Sequence, residues 1–291
     1  MVNPVLALDA VDHVFENGSA GGSVGLRACS LALERGQRHA LLGANGAGKT
    51  TLLQHLNGLL RPSAGTLRWN GQPFDYSRAG MAELRRRVGL VFQNPDRQLF
   101  SAQVEEDVSF GPLNLGLDAA TVRARVAAAL EAVGLQGQGN RAVHHLSFGQ
   151  KKRVCIAGVL AMEPEVLLLD EPMAGLDAAM QVELEALLDR LAARGVTVLL
   201  STHDVDFAYR WADRIHLMAA GSCIASGPAW QVARQEGMLR AAGQRMPHAL
   251  ALHTLLAERG VLASDHHPRS VEAVLDALRT LPIPHSGVVN S

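Results

Sequence analysis

The sequence predicts an α/β fold: a mostly parallel sheet flanked by helices, an N-terminal antiparallel β subdomain ahead of it, and a small C-terminal helical extension behind it. Three observations carry this expectation. Short buried-strand patterns recur at 38–42, 88–92 and 196–200, and 166–169 is a continuous apolar run, as a strand buried on both faces requires. Helical stretches separate the later runs, an alternation that gives right-handed parallel crossovers. Strand signals stop after Gly227-Pro228, and only helical patterns follow.

Taken in order, the first ~35 residues read as strands broken by a loop. Leu6, Leu8, Val11 and Val14 are the apolar positions, and Asn17-Gly18-Ser19-Ala20-Gly21-Gly22-Ser23 is the break. Arg38 to Leu42 is a short buried strand. A glycine-rich loop follows, then a helix from about Lys49 to Leu60 that Arg61-Pro62-Ser63-Ala64-Gly65 stops. Thr66 to Trp69 with the Asn70-Gly71 turn predicts a hairpin. Val88 to Phe92 is the next strand, and Asp118 to Val133 and Lys151 to Met162 read as helices. Val166 to Leu169 is a strand bounded by Pro164 and Asp170-Glu171-Pro172. Gln181 to Ala193 is helical, and Val196 to Leu200 is again a strand. Trp230 to Ala242, His248 to Arg259 and Ser270 to Leu281 read as short helices, and the residues from Pro282 as a mobile tail.

Composition narrows the partners. The 291 residues carry 48% hydrophobic side chains, enough for a substantial core, and only 4% aromatic ones, so that core is expected to be aliphatic. A formal net charge of -1 lacks the basic field of a nucleic-acid binder, so no nucleic acid is expected as partner. No apolar run approaches the roughly 18 residues that cross a bilayer. Residues Met1 to Asp12 lack the basic start and cleavage site of a signal peptide, so any membrane role is expected to be peripheral. Cys29, Cys155 and Cys223 match no zinc spacing and read as buried reduced thiols of a cytosolic chain.

Gly43-Ala44-Asn45-Gly46-Ala47-Gly48-Lys49-Thr50 fits G-x-x-x-x-G-K-[ST] between a strand and a helix. Its glycines let successive backbone N–H groups curl towards phosphate oxygens, and the helix start adds the positive end of its dipole. Lys49 is expected to bridge the β- and γ-phosphates, and the Thr50 hydroxyl to ligate Mg²⁺. Taken alone, the motif leaves kinase, GTPase and transport motor open. Leu167-Leu168-Leu169-Asp170-Glu171-Pro172 adds carboxylates at the end of a buried strand, where doubly wound sheets bind ligands. Asp170 suits Mg²⁺, held through water, and Glu171 is placed to polarise the attacking water as general base.

With these elements, Leu146-Ser147-Phe148-Gly149-Gln150 makes the chain resemble the ATP-binding cassette (ABC) family from about Leu6 to Gly227. The family signature is usually Leu-Ser-Gly-Gly-Gln, and here Phe148 replaces the first glycine. The resemblance implies a P-loop NTPase-type core, with residues 1–228 as the nucleotide-binding domain and a helical subdomain at about 94–163. Residues 229–291 would be the C-terminal extension that helps hold two ATPase subunits together. The implied cofactors are ATP and Mg²⁺. Gly43, Asn45, Gly46, Ala47, Gly48, Lys49, Thr50 and Thr51 would hold the nucleotide. Ser147, Gly149 and Gln150 would face a γ-phosphate held by a second subunit. Gln93 matches the glutamine that touches Mg²⁺ and the water, Asp177 in Ala174-Gly175-Leu176-Asp177 the loop that crosses the dimer interface, and His203 the histidine that contacts the γ-phosphate. Phe15 matches the aromatic that stacks on adenine. Met173 stands where the family commonly has threonine.

The segments Val91 to Ser101 and Val104 to Pro112 look like the energy-coupling factor branch, and within it most like the cobalt/nickel group. Arg97 stands where that pattern often has a second acid. The implied function is an ATP-hydrolysing subunit that powers uptake of a transition-metal ion through separate membrane subunits. The alternatives are vitamin uptake in the same branch, or a non-transport cytosolic ATPase such as an assembly scaffold. The implied partners are a second ATPase subunit in a homodimer, an integral membrane scaffold and a substrate-binding membrane subunit, at the cytoplasmic face of the cell membrane. Glu105-Glu106-Asp107 is either a solvated face or a receiver for basic residues of a coupling helix. His248, His253, His266, His267 and His285 read as exposed histidines, since their spacing suits no metal site.

Overall fold

The computed structural model describes residues 4–15 and 23–281. The chain start, Glu16 with residues 17–22 of the expected 17–23 loop, and the stretch from Pro282 with His285 lie outside the described residues.

Two sheets organise the chain. Strands β1 (Leu6–Phe15), β2 (Ser23–Leu33), β4 (Ala64–Trp69) and β5 (Gln72–Pro73) form an antiparallel sheet of order β2-β1-β4-β5. Strands β3 (Arg38–Gly43), β6 (Val88–Val91), β7 (Val166–Leu169), β8 (Thr197–Thr202), β9 (Arg214–Ala219) and β10 (Ser222–Pro228) form the second, of order β10-β9-β3-β8-β7-β6. Its pairings are parallel from β9 to β6, and only β10 turns back antiparallel.

The mostly apolar strands follow from burial on both faces. Ala40, Leu42, Leu167, Leu169, Val198 and Leu200 enter the core shared with helices α5 (Phe148–Leu160), α6 (Ala178–Ala193) and α7 (Val205–Trp211). Leu41, Leu168 and Leu199, one residue out of step, enter the core under the antiparallel sheet and α1 (Lys49–Leu56). Each such leucine stabilises the fold by about 1.5–3 kcal/mol. This two-faced burial holds the C-terminal strand ends, where the functional loops begin, on a rigid base.

Helices α2 (Arg78–Arg87), α3 (Val104–Asn114) and α4 (Ala119–Ala132) complete the body, and α3, α4 and α5 pack on one another. Asp118 caps α4 by accepting from the N–H groups of Ala120 and Thr121. Past β10 come α8 (Ala229–Val232), α9 (Glu236–Ala241), α10 (His248–Glu258) and α11 (Val271–Arg279).

Several boundaries differ from the sequence reading. The helix expected to reach Leu60 ends at Leu56, because Gly58 takes φ +72° and Asn57 donates its side-chain amide to the carbonyl of Val88. The helix expected over 230–242 is two, α8 and α9. Helices α2, α3 and α7 and strands β9 and β10 had no counterpart in the expectation. Asp107 is not part of a solvated face: it is buried and accepts from the N–H groups of Phe100 and Ser101, while Glu105 and Glu106 stay exposed. Nor is every C-terminal histidine exposed. His253 is buried and its Nε2 lies 3.0 Å from the carbonyl of Ala263. Cys29 and Cys155 are buried, and burial pushes their thiols up to about 11 and about 12, which keeps them unreactive.

Candidate functional site

The phosphate loop, Gln93, Asp170, Glu171 and His203 sit at or just past the C-terminal ends of parallel strands. Strand β3 ends at Gly43, and the loop 44–48 swings directly into α1. Glycine is required here: Gly46 and Gly48 take φ +79° and +101°, and a Cβ on Gly48 would lie 2.7 Å from the carbonyl oxygen of Gly25. The buried Lys49 curls back over this loop. Its ammonium donates to the carbonyls of Gly43 at 2.8 Å and Ala44 at 3.3 Å, and lies 3.5 Å from Glu171 Oε1.

Strand β7 delivers Asp170 and Glu171, both buried. Thr50 Oγ1 donates to Asp170 Oδ2 at 2.7 Å, so the phosphate loop and the acidic strand end meet. Ser201, on β8, donates its hydroxyl to Asp170 Oδ1 at 2.6 Å and accepts from the N–H of Glu171 at 2.8 Å. One hydroxyl thus aligns both carboxylate residues. Glu171 needs such support, because its φ of +44° is left-handed backbone that costs a non-glycine residue about 1 kcal/mol or more.

Lys152 supplies the rest of that support. It reaches from α5 and donates to the carbonyls of Glu171, Pro172 and Ala174 at 3.2, 2.9 and 2.9 Å. Burial, the largest influence, pulls its ammonium down to about 8. Three carbonyl partners occupy all three N–H groups of the charged form and leave one unmatched if it is neutral, so charge is retained at neutral pH.

His203 follows β8, with its side chain exposed and its Nδ1 3.0 Å from Glu171 Oε2. A carboxylate oxygen only accepts, so Nδ1 carries the proton here. Gln93 follows β6 and is exposed. At the end of β1, Phe15 lies edge-on to His13 with centroids 4.6 Å apart.

Phe15, Ala44–Thr51, Gln93, Asp170, Glu171 and His203 line one cleft of about 720 Å³, with Gly243 and Gln244 on its wall. The Thr50 hydroxyl and the Asp170 carboxylate meet in this cleft, and Gln93, which also lines it, carries a further oxygen donor. That chemistry fits Mg²⁺, which takes one or two protein oxygens and completes its shell with water and phosphate.

The remaining predicted residues are not in this cleft. Ser147 starts α5 in a reciprocal cap: its Oγ accepts from the N–H of Gln150 at 3.3 Å, and Gln150 Oε1 accepts from the N–H of Ser147 at 3.1 Å. Gly149 is pressed against Met180, whose Sδ would lie 2.5 Å from an added Cβ. Asp177 caps α6 by accepting from the N–H of Met180 at 2.8 Å. Ser147 and Asp177 are exposed on their own surface. Phe148 covers the charged end of Lys152, 5.4 Å from its ring centre, and packs against Gly175. Ser201, Lys152, Gly243 and Gln244 were not singled out from sequence. Ser201 stands two residues before His203 and Lys152 two after Gln150, each beside residues with a motif role, and the last two carry no motif at all.

A family model described as ABC transporter matches residues 26–174. The energy-coupling factor transporter ATP-binding protein EcfA of Methanothermobacter thermautotrophicus is 47% identical over 231 residues, 79% of this chain and 74% of that protein. The cobalt import ATP-binding protein CbiO of Rhodobacter capsulatus is 49% identical over 251 residues, 86% of this chain and 88% of that one. The solved structure of cbiO1 from Clostridium perfringens, described as part of the ABC transporter complex cbiONQ, superposes with a TM-score of 0.71 at 41% identity, covering 82% of this chain and 94% of that one.

Proposed function

The chain belongs to the ABC transporter ATPases, as an ATP-hydrolysing subunit of the energy-coupling factor and cobalt-import kind, and from that premise we propose that it powers uptake of a transition-metal ion, cobalt or nickel, through separate membrane subunits. The observation that carries the motor reading is the split placement of its motifs. The phosphate loop, Gln93, Asp170, Glu171 and His203 line one cleft, while Ser147 and Asp177 lie exposed elsewhere on the same chain. A site divided in this way is completed by a second copy packed head to tail.

In the proposed cycle the N–H groups of the phosphate loop bind the phosphates, and Lys49 leaves the carbonyls of Gly43 and Ala44 for the β- and γ-phosphates. Phe15 stacks on the adenine. Thr50, Asp170 and Gln93 would hold Mg²⁺, which would supply neutralisation of phosphate charge. The partner copy brings Ser147 and the Gly149 amide to the γ-phosphate, and Asp177 crosses the interface. Glu171 accepts the proton of the attacking water, and His203 holds both that carboxylate and the γ-phosphate. Positioning and charge neutralisation dominate phosphoryl transfer, so a split site makes hydrolysis conditional on pairing.

The division into 1–228 as motor and 229–291 as an extension that holds two copies together belongs to the same proposal. So does a peripheral place at the cytoplasmic face of the membrane; among the described residues no helix is long and apolar enough to cross one. Metal uptake rather than vitamin uptake rests on the likeness to the cobalt import protein.

The test is ATP turnover and binding by Glu171→Gln and Lys49→Ala in the complex with its membrane subunits. Glu171→Gln keeps ATP bound and lowers turnover by about 10²–10⁴-fold, as loss of a general base does; Lys49→Ala loses productive binding. Native turnover by Glu171→Gln would remove the base assignment. Cobalt or nickel uptake by cells that carry the complex, lost in both variants, tests the substrate.

A further inference from the structure

One wall of the nucleotide cleft comes from outside the motor motifs. Residues 242–248 run from the end of α9 to the start of α10, and Gly243 and Gln244 among them line the cleft. At one end the carbonyl of Ala242 accepts from the N–H of Ala44, the second residue of the phosphate loop, at 3.0 Å. At the other, His248 donates its backbone N–H to Asp206 Oδ1 and places Nδ1 on Oδ2, both at 2.6 Å. Asp206 lies in the first turn of α7, three residues after His203.

The strap is held in place rather than loosely draped. Helix α9 ends in a paired turn: the N–H of Gln244 donates to the carbonyl of Leu239 at 2.7 Å, and that of Gly243 to Arg240 at 3.0 Å, with Gly243 at φ +71°. Leu239, Ala242 and Leu250 are buried and anchor the segment to the main core. Gly243 is close enough to the loop that an added Cβ would lie 3.1 Å from the Cβ of Ala44. Gln244 is half-buried and faces the cleft, and its side-chain amide makes no hydrogen bond with other described residues.

The position along the nucleotide follows from the loop. Ala44 lies where Lys49 docks its ammonium, on the side of Glu171 and His203, whereas Phe15 abuts Gly25 beside Thr51. Lys49 serves the β- and γ-phosphates, so the wall formed by Gly243 and Gln244 borders the terminal phosphate end and not the base.

We propose that Gln244 is a further nucleotide-contacting residue, whose side-chain amide donates to the terminal phosphate of ATP from the C-terminal extension of the same chain. This rests on the reading of the cleft as the ATP site. An amide offers two N–H donors, and a terminal phosphate offers three acceptor oxygens that ADP lacks at that place. Gln244 therefore favours ATP over ADP. Through Ala242 and His248, the extension also ties the phosphate loop to α7, the helix that begins two residues after His203.

The experiment compares ATP and ADP binding by the native chain, Gln244→Ala, Gln244→Asn and Lys49→Ala, each with Mg²⁺ and with its melting temperature recorded without nucleotide. Gln244→Ala is expected to weaken ATP by about tenfold, the effect of one hydrogen bond to a charged group. ADP affinity and the nucleotide-free melting temperature stay at native values, since no bond within the chain is lost. Gln244→Asn, with the amide drawn back by one methylene, falls between the two. Equal loss for ATP and ADP, or native affinity for both while Lys49→Ala loses ATP, overturns the assignment to Gln244. Native ATP binding by Lys49→Ala would instead remove the cleft reading itself.

Discussion

Replacing Lys152 by methionine tests how the structure holds its acidic strand end. The native ammonium is almost fully buried and donates to the carbonyls of Glu171, Pro172 and Ala174. Methionine fills similar space but takes the donor from the carbonyls of Pro172 and Ala174, at about 1–3 kcal/mol each, while the Glu171 carbonyl keeps the N–H of Ala174 at 3.2 Å. Against this stands the cost of burying the charge. A shift from 10.5 to about 8 corresponds to about 3 kcal/mol, with no discount for exposure because only 1% of the residue is accessible. The balance runs from near zero to a loss of about 3 kcal/mol, or a melting temperature lower by up to about 8 °C for a chain of this size. ATPase activity falls further than stability does, because the left-handed Glu171 loses its tether.

Chemical and thermal unfolding beside ATP turnover measure both effects, and pH separates their origins. Between about 8 and 10.5 the folded chain binds fewer protons at Lys152 than the unfolded chain, so native stability rises with pH across that window by up to about 3 kcal/mol. The Lys152→Met chain lacks that rise, and the gap between the two chains widens as pH increases. A variant that melts with the native chain and hydrolyses ATP at its rate would refute the reasoning.

Two further outcomes follow from the same geometry. Ser201→Ala removes the hydroxyl that joins Asp170 to the backbone of Glu171 and is expected to lower kcat by about tenfold or more with a stability loss of about 1–3 kcal/mol; unchanged kcat excludes the alignment role. His39 and His216 are buried together, Nδ1 to Nε2 at 3.0 Å, and burial holds His39 down to about 4 and His216 well below the usual imidazole value. The unfolded chain takes up the His39 proton near 6.5, so this contribution is full above about 6.5 and falls by up to about 3 kcal/mol as pH drops towards 4. In His39→Gln, chemical unfolding at pH 7 and pH 5 should show a smaller loss on acidification than in the native chain; an equal loss contradicts it.

Much of the fold was legible because its signals are local. A strand buried on both faces is mostly apolar, which exposed β3, β6, β7 and β8 in the sequence, and Val166–Leu169 carries the same bounds in the structure. The phosphate loop was legible because only glycine tolerates its geometry at Gly46 and Gly48. What escaped depends on distant partners. β10 is edge structure whose burial is only partial, and α3 is held by the burial of Asp107 against the backbone of Phe100 and Ser101. Ser201 and Lys152 matter through what they touch across the sheet, 30 and 19 residues away in sequence. Gln244 gives no sequence signal, since a loop that returns to the cleft is set by the packing of Leu239 and Leu250.

The central claim is that two copies complete one another's sites around ATP. Sedimentation of the Glu171→Gln chain, 31.0 kDa as one copy, measures self-association with and without ATP and Mg²⁺. Association should tighten by at least about tenfold when ATP is present. The gain should vanish when Lys49→Ala or Ser147→Arg is added to the same chain. Association that is the same with and without ATP, or a gain that survives Ser147→Arg, would contradict the shared site.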